Sequence, residues 1–334
     1  MAITANKSKK SAADVIFTTV ILTILIIYTV SIFIVLIWGF ITSFKTNADF
    51  NGNVLGLPSD PRYWEGLTNT VKKINYERYL DALKFGNYIE IFEKLKYTQE
   101  VSYYPLFATK AVQIKAIDVT FFGMLGNTLY MAGLASLIQV LICYSTAYMC
   151  AKYKFKFSSF IYSLVIIMMT IPTIGTTPAM IDLLQKLNLY GRHIGILIMR
   201  AGFSGMYFLV FHAFFEGLPD SYTEAAEIDG ANQMDIFLRI IIPLGINMIG
   251  TVTLLLFVGN WNDYNMSFVY MPTVPTLAFG IYAFAHLNNR FNGVEKHPAL
   301  QMAGCFLTVT PILILFIFLK DKLMGNISAG GLKG

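Results

Sequence analysis

Charge is scarce in this sequence. Asp, Glu, Lys and Arg supply 13% of its 334 residues, about half the share of an ordinary soluble domain. Hydrophobic residues supply 55% and the mean hydropathy is +0.57. That balance excludes a soluble domain and gives a protein that crosses a membrane several times. Cysteine is nearly absent: Cys143, Cys150 and Cys305 all lie in apolar runs without regular spacing. A disulfide framework and a zinc site are both excluded, and the three read as small core residues. The four histidines, His193, His212, His286 and His297, contain no i, i+4 pair and no HExxH, so metal-assisted hydrolysis is unsupported and no metal is expected. No GxxxxGK[ST] and no GxGxxG occurs, so the chain does not hold a nucleotide by a glycine-rich cradle. No Lys/Arg run alternates with aromatics, which argues against nucleic acid as a partner. Intramembrane carboxylates close enough in sequence for an acid/base pair are also missing, and a membrane enzyme has no visible catalytic centre.

What is present is apolar sequence in long runs. A spanning helix needs about 20 apolar residues. Six windows qualify, near Val15–Phe40, Phe121–Tyr148, Phe160–Met180, Ile194–Phe214, Ile241–Met271 and Ala299–Leu319. The first follows Lys7, Lys9 and Lys10, is too long for a signal-peptide core and has no small-residue cleavage site after it, which predicts a retained signal anchor. Six spans put both termini on one side. The short loops on that side carry Lys7, Lys9, Lys10, Lys152, Lys154, Lys156, Arg239, Lys320, Lys322 and Lys333, against Lys186, Arg192, Arg290 and Lys296 opposite. Ten against four predicts cytoplasmic termini. Residues 42–119, rich in Lys/Arg but long enough to escape that rule, fall outside.

That external segment is too long for a bare loop. Tyr88, Ile91, Phe92 and Leu95 repeat at helical spacing, with Pro58, Pro61 and Gly86 flanking. Its aromatics, Tyr63, Trp64, Tyr76, Tyr79, Tyr88, Tyr97, Tyr103 and Tyr104, fit either a docking or sugar-stacking surface or packing inside a small helical cap. In the third span Pro172, Gly175 and Pro178 predict a break, either a packing kink or the lining of a path. Arg200, His212 and Asp263 are the notable ionisable residues inside or near the ends of spans; for His212 packing is the simpler reading.

One polar island interrupts the apolar runs. Glu216, Asp220, Glu224, Glu227, Asp229 and Asp235 place six of the 20 carboxylates within 20 residues, with Arg239 the opposite charge nearby. Ser221 three residues before Glu224 predicts a capping box, and Gly230 predicts a bend. Met234, Ile236, Phe237 and Ile240 form a second amphipathic turn, and Pro243 stands where the next apolar run begins. The expected pattern is helix, bend, helix at the cytoplasmic surface. A transporter without a fuel motif either runs on a gradient or draws energy from another chain. The acidic island fits a docking element for a basic-rimmed soluble partner; an ion-driven secondary carrier is the competing class.

Glu224-Ala225-Ala226, Asp229-Gly230-Ala231, Phe237, Ile240 and Pro243 resemble, in register, the EAA loop of permease subunits of bacterial binding-protein-dependent ABC importers. Ser43-Phe44-Lys45, Gly126-Asn127-Thr128, Ala147-Tyr148 with Lys152-Tyr153-Lys154-Phe155, Ile171-Pro172 with Pro178, Trp261-Asn262-Asp263 and the tail from Ala329 to Gly334 are similar to the carbohydrate, maltose-type branch. The sequence departs from that pattern in its longer external segment, at Asn247 and at Asn188-Leu189.

The resemblance implies an all-α permease with six spans and cytoplasmic coupling helices. Residues 1–41 would form the N-terminus and first span, 42–119 an extracytoplasmic insertion, 120–321 the core with the coupling loop at 216–243, and 322–334 a cytoplasmic tail. It implies a second homologous permease, two ATPase subunits that hold ATP and Mg, an external solute-binding protein and a lipid surround, with no cofactor in this chain. Ser221, Glu224, Ala225, Ala226, Asp229, Gly230, Ala231, Phe237 and Pro243 would then contact the ATPase. In that scheme Glu224 is the charged contact, Ala225 and Ala226 the close-packed face, Gly230 the bend and Asp229 a cap for the second helix. Asn127, Tyr130, Tyr207, Trp261 and Asn262 are the polar or amphipathic residues in spans suited to a sugar path, and helix packing explains each equally well.

Overall fold

A computed structural model describes residues 12–58, 85–97, 100–103, 111–115, 118–153, 156–172, 175–202, 205–287 and 297–324. Lys7, Lys9, Lys10, Lys154, Phe155, Arg290, Lys296 and the tail from residue 325 lie outside them, as do Pro61, Tyr63, Trp64, Tyr76, Tyr79 and Tyr104. The chain divides into two compact units, one drawn from residues 1–89 and 296–306, the other from 90–295 and 307–334.

In the first unit α1, Ala12–Thr42, is an uninterrupted apolar helix whose side chains are exposed along nearly its whole length in the single chain. It ends in a polar knot. Thr46 caps the short α2, Asn47–Gly52, by accepting from Asp49 N at 3.1 Å. Lys45 is buried and donates to the Asn53 carbonyl at 2.5 Å. Burial pushes its ammonium below the usual lysine range, and the charge of Asp49 works the other way. Asn87, in the first turn of α3, Gly86–Lys94, donates to the carbonyls of Ser43 and Lys45 at 2.8 and 2.9 Å. The Ser43-Phe44-Lys45 stretch thus ties the end of α1 to the start of α3 through backbone carbonyls that accept from Asn87.

The second unit begins within α3, where Ile91 and Leu95 are buried at the predicted helical spacing. Two short antiparallel pairs follow that the all-helical expectation did not include. β1, Lys96–Tyr97, pairs with β4, Val119–Thr120, and β2, Glu100–Tyr103, pairs with β3, Val112–Lys115. The rest is helical: α4 Phe121–Lys152, α5 Lys156–Thr170, α6 Thr176–Lys186, α7 His193–Arg200, α8 Gly205–Glu216, α9 Ser221–Ile228, α10 Gln233–Ile236, α11 Ile242–Asn262, α12 Tyr264–Val269, α13 Leu277–His286 and α14 Pro298–Met324.

Four described helices are long and apolar enough to cross a membrane, Ala13–Thr42, Phe121–Lys152, Gln233–Asn262 and Pro298–Phe318. The count reaches five if α7 and α8, which meet at 50°, form one span. The expected third span is not one helix: α5 ends at Thr170, Pro172 follows, and Gly175 starts α6 from a left-handed backbone with φ 81. The fifth runs differently from expectation. α10 and α11 are continuous through a π segment, Phe237–Ile241, so Pro243 sits inside a helix rather than at its start. The wider π turn, in which Ile242 N bonds to Phe237 O, precedes the proline and makes room for its ring and its missing donor. α11 ends at Asn262 because Asp263 turns out to cap α12, accepting from Met266 N at 3.0 Å.

α4 is the central element. Its C-terminal half presents Tyr144 and Tyr148 to Phe211 and Phe215 of α8, with centroids 4.9–5.3 Å apart. Its other half receives α13, a buried apolar helix in what the sequence reading left as a loop. Gly280 passes so close to Met124 that a side chain at 280 would displace the thioether, and Thr128 Oγ1 accepts from Leu277 N at 2.8 Å.

Candidate functional site

The polar island folds as the expected helix, turn and helix, with different caps. Ser221 is the first residue of α9 and not its cap, so the Ser221–Glu224 capping box does not form. Asp220 precedes the helix with a helical backbone, and its carbonyl accepts from Thr223 N and Glu224 N at 2.9 and 3.0 Å. Its carboxylate points elsewhere, to Lys152. α9 closes with Ala231 N bonded to Ala226 O at 2.9 Å and Gly230 N to Glu227 O at 3.0 Å, the double bond of a Schellman turn. Gly230 holds the left-handed position there, φ 80. Asn232, not Asp229, caps α10, accepting from Asp235 N at 2.9 Å.

The island has an inner and an outer face. Ala226 and Ile236 are buried in one cluster with Tyr144, Tyr148, Phe215 and Ile241, and Ala231 and Phe237 pack against it. Ala225 is exposed, so the Ala225-Ala226 pair divides between the two faces. The outer face carries Tyr222, Glu224, Ala225, Ile228, Met234 and Leu238. Ile228 is 86% exposed, an unusual position for a large aliphatic residue in an acidic setting. The Glu224 carboxylate makes no hydrogen bond or ion pair among the described residues, while Asp235 pairs with Arg239 at 3.1 Å. Ser221 and Asp229 are exposed, and exposed Pro243 is the second residue of α11, just after the π segment.

The residues expected along a sugar path scatter. Asn127 donates to Pro275 O at 3.0 Å and fastens the turn before α13. Trp261 is 1% exposed, with its indole N–H donating to Thr308 O at 3.2 Å. Tyr207 is half-buried against the aromatic cluster. Tyr130 and Asn262 are exposed; Tyr130 lies edge-on to His193 at 5.4 Å, and Asn262 donates to the carbonyl of Val258 in its own helix. Two of the ionisable residues singled out in the sequence meet: Arg200 pairs with Asp263 beside a cavity of about 20 Å³ lined also by Asn260, Ser267, Thr276 and Met131, a pairing the sequence did not announce. That volume suits a single water. His212 is buried against Tyr162 at 4.7 Å and near Glu216 at 3.7 Å, a packed position. Among the described residues no three His, Cys, Asp or Glu side chains gather as a metal site.

Known proteins share both the sequence and the fold. The chain is 26% identical over 239 residues to the sulfoquinovosyl glycerol transport system permease protein SmoH of Agrobacterium fabrum, covering 70% of this chain and 81% of the relative. It is 31% identical over 215 residues to the maltodextrin transport system permease protein MdxG of Bacillus subtilis, covering 62% and 74%. A chain from the crystal structure of a bacterial ABC transporter involved in the import of the acidic polysaccharide alginate has the same fold, with a TM-score of 0.70 at 19% identity over 94% of this chain and 99% of that one. Residues 139–328, more than half the sequence, match the model of the binding-protein-dependent transport system inner membrane component. The chain belongs to that family, as a multi-pass membrane subunit of a transporter and not an enzyme.

Proposed function

We propose that this chain is one of two homologous permeases in an ATP-driven importer that takes a sugar or oligosaccharide from an external binding protein. Two ATPase subunits hold the ATP and Mg. Six spans, with the broken third and the bent fourth counted as one each, put both termini and the island in the cytoplasm, a reading supported by the ten-to-four excess of Lys/Arg in the short loops. The sugar or oligosaccharide cargo is supported by the names of relatives, maltodextrin for MdxG and sulfoquinovosyl glycerol for SmoH. The observation that carries the coupling role is the outer face of α9 and α10: an unpaired Glu224 beside exposed Ala225, Ile228 and Met234, held on a fixed frame. Glu224 meets a basic ATPase residue, Ala225 admits close approach, and Gly230 sets the turn. Closure of the ATPase pair moves the island as a rigid body and rocks the spans from inward-facing to outward-facing. Tyr130 and Asn262, exposed in the single chain, are the candidates for sugar contact from this subunit.

The test is uptake by proteoliposomes containing the assembled complex. Uptake is expected only with ATP on the ATPase side and loaded binding protein opposite, and is expected to survive a protonophore. Uptake by this chain alone, abolished by a protonophore, would make it an ion-driven carrier instead.

A further inference from the structure

The end of α4 grips both helices of the island. α4 ends at Lys152, whose side chain is drawn in to 11% exposure although it lies at a helix end where lysine normally reaches water. It donates to the Leu218 carbonyl at 2.5 Å and pairs with Asp220 Oδ1 at 2.6 Å, gripping the turn that enters α9. The next residue grips the other helix: the Tyr153 hydroxyl donates to Gln233 Oε1 at the start of α10. Gln233 in turn donates through Nε2 to Glu227 Oε1 at 2.7 Å, in the last turn of α9. Two adjacent residues therefore hold both helices of the island, and the helices hold each other. Directly beneath, Ala226 and Ile236 share a buried cluster with Tyr144 and Tyr148 of α4.

We propose that Lys152 and Tyr153 are positioning residues for transport: they clamp α9 and α10 to α4, so that a displacement of the island enters the membrane through α4. Resting on the coupling role proposed above, this names the element that receives the motion. Asp220 is 71% exposed, and its pair with Lys152 is screened and weak by itself. The Leu218 carbonyl gives the lysine its second anchor. Substitution of Lys152 therefore has the larger effect, and Asp220→Asn the smaller.

The test uses the whole complex in proteoliposomes and reads sugar transported per ATP hydrolysed, together with the amount of ATPase subunit that co-purifies. Lys152→Met is expected to keep the ATPase subunits and to lower transport per ATP by about twofold to thirtyfold, the range for a broken coupling contact. Lys152→Arg, which keeps charge and donors, is expected to restore most of it. Tyr153→Phe removes one hydroxyl from a half-buried ring and is expected to lower the ratio in the same direction. A wild-type ratio in Tyr153→Phe together with either a wild-type ratio or failed assembly in Lys152→Met would overturn the proposal. Glu224→Lys, run in parallel, separates the two ideas. It should shed ATPase subunits, and if it does not, the docking assignment fails whatever Lys152 does.

Discussion

Gly245 allows α11 to cross α4 at Tyr144, and enlarging it tests how rigid that crossing is. A Cβ at position 245 would overlap the Tyr144 hydroxyl and stand 2.8 Å from two ring carbons. The ring has no easy escape. It is fully buried, lies edge-on to Phe211 at 5.1 Å and Phe215 at 4.9 Å, and its hydroxyl donates to Ile241 O at 2.5 Å. Overpacking of such a core costs about 1–3 kcal/mol. The hydrogen bond alone is a smaller item, about 0.6 kcal/mol for a typical bond between membrane helices. Steric overlap therefore dominates, and Gly245→Ala should lower the apparent melting temperature of the purified complex by about 4 °C, whereas Tyr144→Phe should lower it by about 1 °C. Tyr144→Leu removes the ring, so in that background Gly245→Ala should cost little further. The assay is a thermal scan of the detergent-solubilised complex followed by monodispersity on gel filtration. Wild-type stability for Gly245→Ala with Tyr144 present would refute the rigid crossing.

Two further outcomes follow from local geometry. A Cβ on Gly230 would meet nothing within 4 Å, so substitution there is a matter of backbone strain alone; Gly230→Val should cost about 1–2 kcal/mol and weaken ATPase retention in pull-down, while Gly230→Asn, tolerant of the left-handed region, should keep it. Arg200→Met leaves Asp263 without its cation in a partly buried site and should destabilise by about 2 kcal/mol, the scale of a lost charged hydrogen bond, and the double variant Arg200→Met with Asp263→Asn should recover part of that in the same thermal scan, because asparagine can still cap α12.

The sequence made the long elements legible and hid the joints. Runs of more than 20 apolar residues announce spans because no other element of that length tolerates them, and the island stood out because acidic clusters are costly anywhere near a bilayer except at its surface. The caps were misread for a local reason. Asp220 and Ser221 are adjacent polar residues at the same helix start, and spacing to Glu224 does not choose between them; the choice fell to Lys152, which takes the Asp220 carboxylate from 68 positions away. Pro243 read as a boundary because periodicity carries no signal for a π turn that makes room for a proline. α13 was missed because its ten residues are buried on most sides and show no polar face. The sugar-path residues were chosen by chemistry, and three of them, Asn127, Tyr207 and Trp261, are engaged in packing within the chain.

The central claim is that energy enters at Glu224. The direct measurement compares ATP hydrolysis and sugar uptake by the reconstituted complex, with and without loaded binding protein, for the native sequence and for Glu224→Lys. Glu224 is exposed and unpaired among the described residues, so the variant should insert and fold normally. The account predicts that Glu224→Lys sheds ATPase subunits and so loses uptake and the hydrolysis stimulated by the binding protein, while the permease stays in the membrane at native abundance. Native uptake and native stimulation in Glu224→Lys would contradict it.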